Sequence, residues 1–212
     1  MRLFTGISLA LVVALAIFQT LLLQPVWHDV AFSLAGYDHS LQEQRHQLLD
    51  HFRFGTSLQG LDFSSTELKH IADIDRLLHQ ESSVVWLIMI ALLLVVFIFT
   101  AGTRKSPPRL VVFGEAGKLE IKAFQKGCKM LIAALVVSAI FIGLQFEPLF
   151  RMAHSLLFTG GNWEFDPTTD LIIQLYPPRF FLYFFPLLLI LVVAGLLVTY
   201  FLLGLVKKRW LG

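Results

Sequence analysis

Two histidines sit in contexts where side-chain chemistry is available. His70 lies in Glu67-Leu-Lys-His70-Ile-Ala-Asp73, with a carboxylate three residues to either side. On a helix that spacing puts Glu67, His70 and Asp73 on one face. A neighbouring carboxylate fixes an imidazole's tautomer and raises its basicity, which suits a general base near neutral pH. The plainer reading stands beside it: a capping Glu, a solvated His and a surface Asp. Metal ligation is a third reading, although E-x-x-H-x-x-D lacks the histidine pair of HExxH. The second histidine, His154, follows Arg151 in RMAHSLLFTGGNWEFDPTTD, a polar and glycine-containing cluster lodged between two hydrocarbon runs.

Both segments need elements to hold them, and the composition says what kind. The chain has 212 residues, 56% hydrophobic and 15% charged, with 20 Phe. This is membrane-protein composition. Stretches near 3–23, 84–102, 130–146 and 180–206 are long and apolar enough to cross about 30 Å of hydrocarbon. The first has Arg2 before an apolar run but no small-x-small cleavage site, so it reads as a retained helix. Arg2, the basic run of 103–129 and Lys207-Lys-Arg209 belong on the cytoplasmic side, which an even number of spans permits. Loops 24–83 and 147–179 then face outward and carry all 7 His. The expected fold is an all-α membrane protein: four transmembrane helices, a folded extracytoplasmic first loop and short interfacial helices in one domain. The basic residues sit beside the membrane, where anionic lipid explains them and nucleic acid is not required. Cys128 is the single cysteine. It excludes an internal disulfide and reads as a buried structural thiol.

In the first outer loop Gln24-Pro25 ends the first span. Residues 41–51 read as a short helix, and His51-Phe-Arg-Phe54 with Leu61-Asp-Phe63 as a small hairpin. Ser64-Ser-Thr-Glu67 fits a capping box. Leu68, Ile71, Ile74, Leu77 and Leu78 continue it as an amphipathic helix into the second span. In the second outer loop 151–158 reads as an interfacial helix and 159–162 as a tight turn. Asp166-Pro167 reads as an N-cap and first position for a helix over 168–175. Trp163, Phe165 and Tyr176 are expected at headgroup level.

Taken together, Glu67-x-x-His70-x-x-Asp73 and the later Phe150-Arg-Met-Ala-His154, Leu157-Phe158, Trp163-Glu-Phe-Asp166-Pro167, Asp170-Leu-Ile, Pro177 and Phe180-Phe181 resemble the bacterial four-helix membrane family that includes the lipoprotein intramolecular transacylase. The resemblance implies an acyl shift at the outer face of the cytoplasmic membrane. The sn-2 acyl chain of a diacylglyceryl-Cys lipoprotein would move to that Cys's own α-amino group, giving a lyso-form lipoprotein. It implies His70 as the leading catalytic residue and His154 as the second. Asp73 or Glu67 would orient His70, and Arg151, Trp163, Asp166 and Arg179 are the substrate-binding candidates. No cofactor or metal is expected, and the partners are the diacylated lipoprotein and membrane lipid, with the chain acting as a monomer. Two other readings stay open: a non-catalytic membrane module that binds a lipid or peptide, and a metal-dependent hydrolase.

Overall fold

The structure, a computed structural model, describes residues 2–102, 115–158, 160–161 and 163–211. Residues 103–114 of the basic 103–129 segment, and positions 159 and 162 of the tight turn, lie outside the described residues. Among the described residues eight helices follow one another: α1 (Arg2–Leu21), α2 (Pro25–Leu34), α3 (Gln42–Phe54), α4 (Ser65–Gly102), α5 (Glu115–Leu144), α6 (Phe146–Leu157), α7 (Leu171–Leu175) and α8 (Pro178–Leu211). Four of them carry stretches long and apolar enough to cross a membrane, within Leu3–Leu21, Ser65–Leu94, Leu119–Leu144 and Pro178–Lys208. In α4 the charged residues Glu67, Lys69, Asp73, Asp75 and Arg76 gather toward its start, and the apolar stretch follows them.

Several local expectations change. Pro25 does not only stop the first span; it opens α2, where a residue without an N–H fits the first helical position. No strand occurs among the described residues. His51–Phe54, expected in a hairpin, complete α3, which stops at Gly55 in the left-handed region with φ +68°. The Gly55 N–H donates to the His51 carbonyl at 2.8 Å, the usual left-handed helix cap. Phe52 and Phe63 meet through a shared apolar core rather than a strand ladder. The helix expected over 168–175 begins only at Leu171. The Asp166 carboxylate accepts instead from the Thr168 backbone N–H at 2.8 Å and its hydroxyl at 2.7 Å, closing a turn.

By its contacts the chain divides into two units, Met1–Gln19 with Val84–Ser138 and Leu189–Gly212, and Thr20–Ser83 with Ala139–Leu188. In the first unit Ala10, Ala14, Phe124, Cys128, Val192 and Leu196 form the core, and Cys128 is fully buried. Small residues let the backbones meet. A Cβ on Gly6 would run into Ala123 and Phe124, and one on Gly127 would run into Gly6 and Ile7. The α1–α5 crossing is therefore glycine against glycine, as membrane helices permit where no side chain intervenes.

The second unit has two cores. Leu48, Ile71, Ile172 and Leu175 gather Phe52, Leu58, Phe63, Phe165 and Tyr176 around them. Beside it is an aromatic stack: Phe32 lies over Phe180 at 4.4 Å, and Phe180 over Phe184 at 5.0 Å. The Arg45 guanidinium lies over the Phe32 ring, 4.0 Å from its centroid. His28 is buried here, 5.5 Å from Phe180, and its Nε2 donates to the Leu22 carbonyl at 2.9 Å. That is a satisfied core histidine.

Replacing Gly127 with Val should force the α1–α5 crossing apart and cost about 1–3 kcal/mol. Gly143, with no heavy atom within 4 Å of an added Cβ, should accept Ala with an unchanged or slightly raised midpoint. Thermal unfolding of the two detergent-solubilised variants checks the contrast.

Candidate active site

His70 sits one turn into α4 and His154 near the end of α6. Their ring centroids are 6.4 Å apart with 25° between planes. Two residues distant in the chain are thus brought side by side within the second unit. Phe158 touches both, 4.4 Å from His70 and 5.4 Å from His154. Phe165 meets His70 edge-on at 5.2 Å. Phe150 and Trp163 lie 4.0 Å and 5.3 Å from His154. Phe150, His154 and Phe158 recur every four residues, so helical spacing alone aligns them.

This apolar lining sets the charge of both imidazoles. His70 is buried, with 6% of its surface exposed. Desolvation pushes its pKa down to about 4, the nearby His154 adds to the fall, and Asp73 opposes it. His154 is half-buried and its pKa is also lowered by burial, opposed by its hydrogen bond to Phe150. Both are neutral near pH 7, and His70 is a weaker base than its carboxylate spacing led one to expect, because desolvation outweighs the charge of Asp73. The Nδ1 of His154 lies 2.9 Å from the Phe150 carbonyl. A carbonyl can only accept, so Nδ1 carries the proton and Nε2 the lone pair. The Nδ1 of His70 is buried and makes no hydrogen bond.

The other residues singled out from sequence fall in different places. Glu67 forms the expected capping box: its N–H donates to the Ser64 hydroxyl at 3.3 Å, and the Ser64 N–H donates to its Oε2 at 2.7 Å. Its Oε1 accepts from the Ile172 N–H at 2.8 Å, across 105 residues of chain. Asp73 accepts from the Arg76 guanidinium at 2.7 Å while its charge acts on His70. Arg151 donates to Glu147 at 2.8 Å in an exposed pair one turn along α6. Asp166 closes its exposed turn, and Arg179 is exposed on the first turn of α8. Trp163 is at the histidines rather than only at an interface, whereas Phe165 and Tyr176 belong to the core of the unit. Sequence spacing brought out both histidines but not the lining by Phe150, Phe158 and Phe165. The four-residue repeat was the available signal for the first two. Among the described residues no group of three or more His, Cys, Asp and Glu is placed to hold a metal ion.

With this geometry in view, the model of one family, the lipoprotein intramolecular transacylase Lit, matches residues 1–181. The chain belongs to the lipoprotein intramolecular transacylase family. Solved structures of the integral membrane transacylase Lit from Bacillus cereus share the fold. One carrying a histidine-to-arginine change aligns with TM-score 0.65 at 19% identity, covering 98% of this chain and 91% of that one. Another, with histidine changed to alanine, has TM-score 0.65 at 21% identity and covers 98% and 94%. No curated protein matches the sequence. Membership in the transacylase family makes the chain an integral membrane protein of an acyltransferase family, with lipoprotein as the family's substrate and membrane lipid as its surroundings.

The two buried imidazoles, His28 and His70, make stability pH-dependent. Each has a folded pKa near 4, below the ordinary 6.5. The unfolded chain therefore binds protons first as pH falls. The stability from keeping these rings neutral is whole above pH 6.5 and drains away toward pH 4. His28→Gln and His70→Gln should each flatten that decline in a series of thermal melts across this window.

Proposed function

We propose that this transacylase-family protein moves the sn-2 acyl chain of a diacylglyceryl-Cys lipoprotein onto the α-amino group of the same Cys. The product carries N-acyl and S-monoacylglyceryl groups. A new C–N bond forms as the ester C–O bond breaks, and the amine proton passes through imidazole to the freed glyceryl oxygen. Acceptor and donor belong to one molecule, so positioning supplies much of the barrier reduction. No enzyme nucleophile is needed. The single observation that carries the reading is the pair of neutral imidazoles 6.4 Å apart in an aromatic enclosure.

In this reading His70 takes the proton of the attacking amine and returns it to the leaving glyceryl oxygen, while His154, its Nδ1–H anchored on Phe150, presents its Nε2 lone pair to an amine N–H and orients it. Asp73 biases His70 toward the protonated form as the step proceeds, since its charge already opposes the fall in pKa. Trp163 and the phenylalanines exclude water, which strengthens these polar interactions. Arg151 and Arg179 are exposed cations available to lipid or peptide oxygens. The protein works as a monomer, with both termini cytoplasmic and the histidines on the outer face, as the distribution of Lys and Arg favours.

Expression in a host without lipoprotein N-acylation should convert free-amine diacyl lipoproteins to the N-acyl lyso form, read by mass spectrometry of N-terminal peptides. His70→Ala and His154→Ala should each lower conversion on the order of 100-fold or more. Persistence of the free amine with the native chain present would sink the reading.

The pH dependence of turnover follows from the same chemistry. The reacting amine must be neutral, with an ordinary pKa of about 8. His70, already neutral down to about 4, should add no break near 6.5. Initial rates between pH 5 and 9 should rise through a single step set by the substrate amine. A second limb near 6.5 would point to a solvated imidazole instead.

A further inference from the structure

Glu67 has a role that neither acid–base chemistry nor simple helix capping accounts for. Its side chain is 2% exposed, and both carboxylate oxygens are engaged by backbone. Oε2 receives the Ser64 N–H at the start of α4. Oε1 receives the Ile172 N–H at the start of α7. Helix α7 does not cap itself. Its N-cap residue, Asp170, makes no side-chain capping bond, because its Oδ2 accepts from the Asp166 N–H at 2.8 Å. The first amides of a helix need acceptors, and here the acceptor comes from another helix.

The position of that acceptor is what matters. Glu67 is one turn before His70 on α4. Ile172 follows the segment that delivers Trp163 to His154 and Phe165 to His70. Ile71, next to His70, shares a core with Ile172 and Leu175. A buried carboxylate leaves water only when donors replace it. Glu67 therefore holds the two amides at one separation.

We infer that Glu67 is a positioning residue, a two-amide clamp that sets the 163–172 segment against His70, and not the carboxylate that tunes His70. The catalytic consequence rests on the acyl-transfer reading above; the clamp itself does not. Gln at this position keeps one carbonyl acceptor but turns an NH2 toward the second amide. Asp keeps the charge and loses reach by one methylene. Ala removes both acceptors.

The test uses the full-length protein in detergent with no lipoprotein present. Hydrogen–deuterium exchange of peptides covering 163–176 should speed up in Glu67→Gln and more in Glu67→Ala, with the crossing stretches of α1 and α8 unchanged. Turnover per folded molecule, measured well below the melting temperature, should fall in the same order, reaching on the order of 100-fold for Ala. Glu67→Asp should restore part of both. The titration midpoint of His70, followed by imidazole NMR, should not fall. Unchanged exchange across 163–176 overturns the clamp, whatever the chain proves to catalyse. A lowered His70 midpoint overturns it too, because Glu67 would then be acting on the proton affinity of His70. A normal clamp by exchange in a chain that transfers no acyl group would sink the acyl-transfer reading and leave the positioning of 163–172 intact.

Discussion

A carboxylate taken out of water must be surrounded by donors, and in this protein that requirement falls on Glu67. Its two oxygens take backbone amides from Ser64 and Ile172, at the starts of two different helices. Around this junction the second unit is assembled. Ile71 and Ile172 join Leu48 and Leu175 in its core, and one turn further along α4 the His70 ring emerges between Phe158 and Phe165. Polar satisfaction and apolar packing are met by the same few residues. A buried acceptor without its donors is costly, so the helix starts are held in a single arrangement.

The enclosure of the histidines has an electrostatic logic of its own. Desolvation dominates the behaviour of both rings, and Asp73 at His70 and the Phe150 carbonyl at His154 only moderate it. An imidazole held neutral is ready to receive a proton but offers little standing positive charge. The arrangement thus favours proton relay over fixed charge stabilisation, which fits a reaction in which a neutral amine attacks a neutral ester. The tautomer of His154 is set by a carbonyl of its own helix, a local device that needs no distant partner.

Much of this was legible along the chain, and what was not has physical reasons. The spans follow from runs of hydrocarbon, α3 and α4 from helical periodicity, and the Ser64–Glu67 box from cap chemistry that acts over three residues. Those signals are local. The reach of Glu67 to Ile172 spans 105 residues and leaves no mark in spacing. Pro25 reads as a stop because proline ends helices more visibly than it begins them, yet α2 starts there. The hairpin expectation failed because the alternations Phe52-Arg53-Phe54 and Leu61-Asp62-Phe63 are too brief to distinguish a strand from a helix end capped by Gly55. Asp166-Pro167 has the right chemistry for a helix start. The carboxylate nevertheless closes a turn on Thr168, and the helix waits for Leu171. His70 and His154 were visible as residue types in suggestive settings, whereas their proximity belongs to tertiary structure alone.

The burial of Cys128 at 0% exposure in the core of the first unit has a practical side. The chain holds one thiol, and it is shut away from reagents dissolved in water. Native protein is accordingly a silent background for probe chemistry: a cysteine introduced at a loop or helix end would be the site a maleimide label or spin tag finds. Distances and sidedness can then be mapped without first engineering the natural sulfur away.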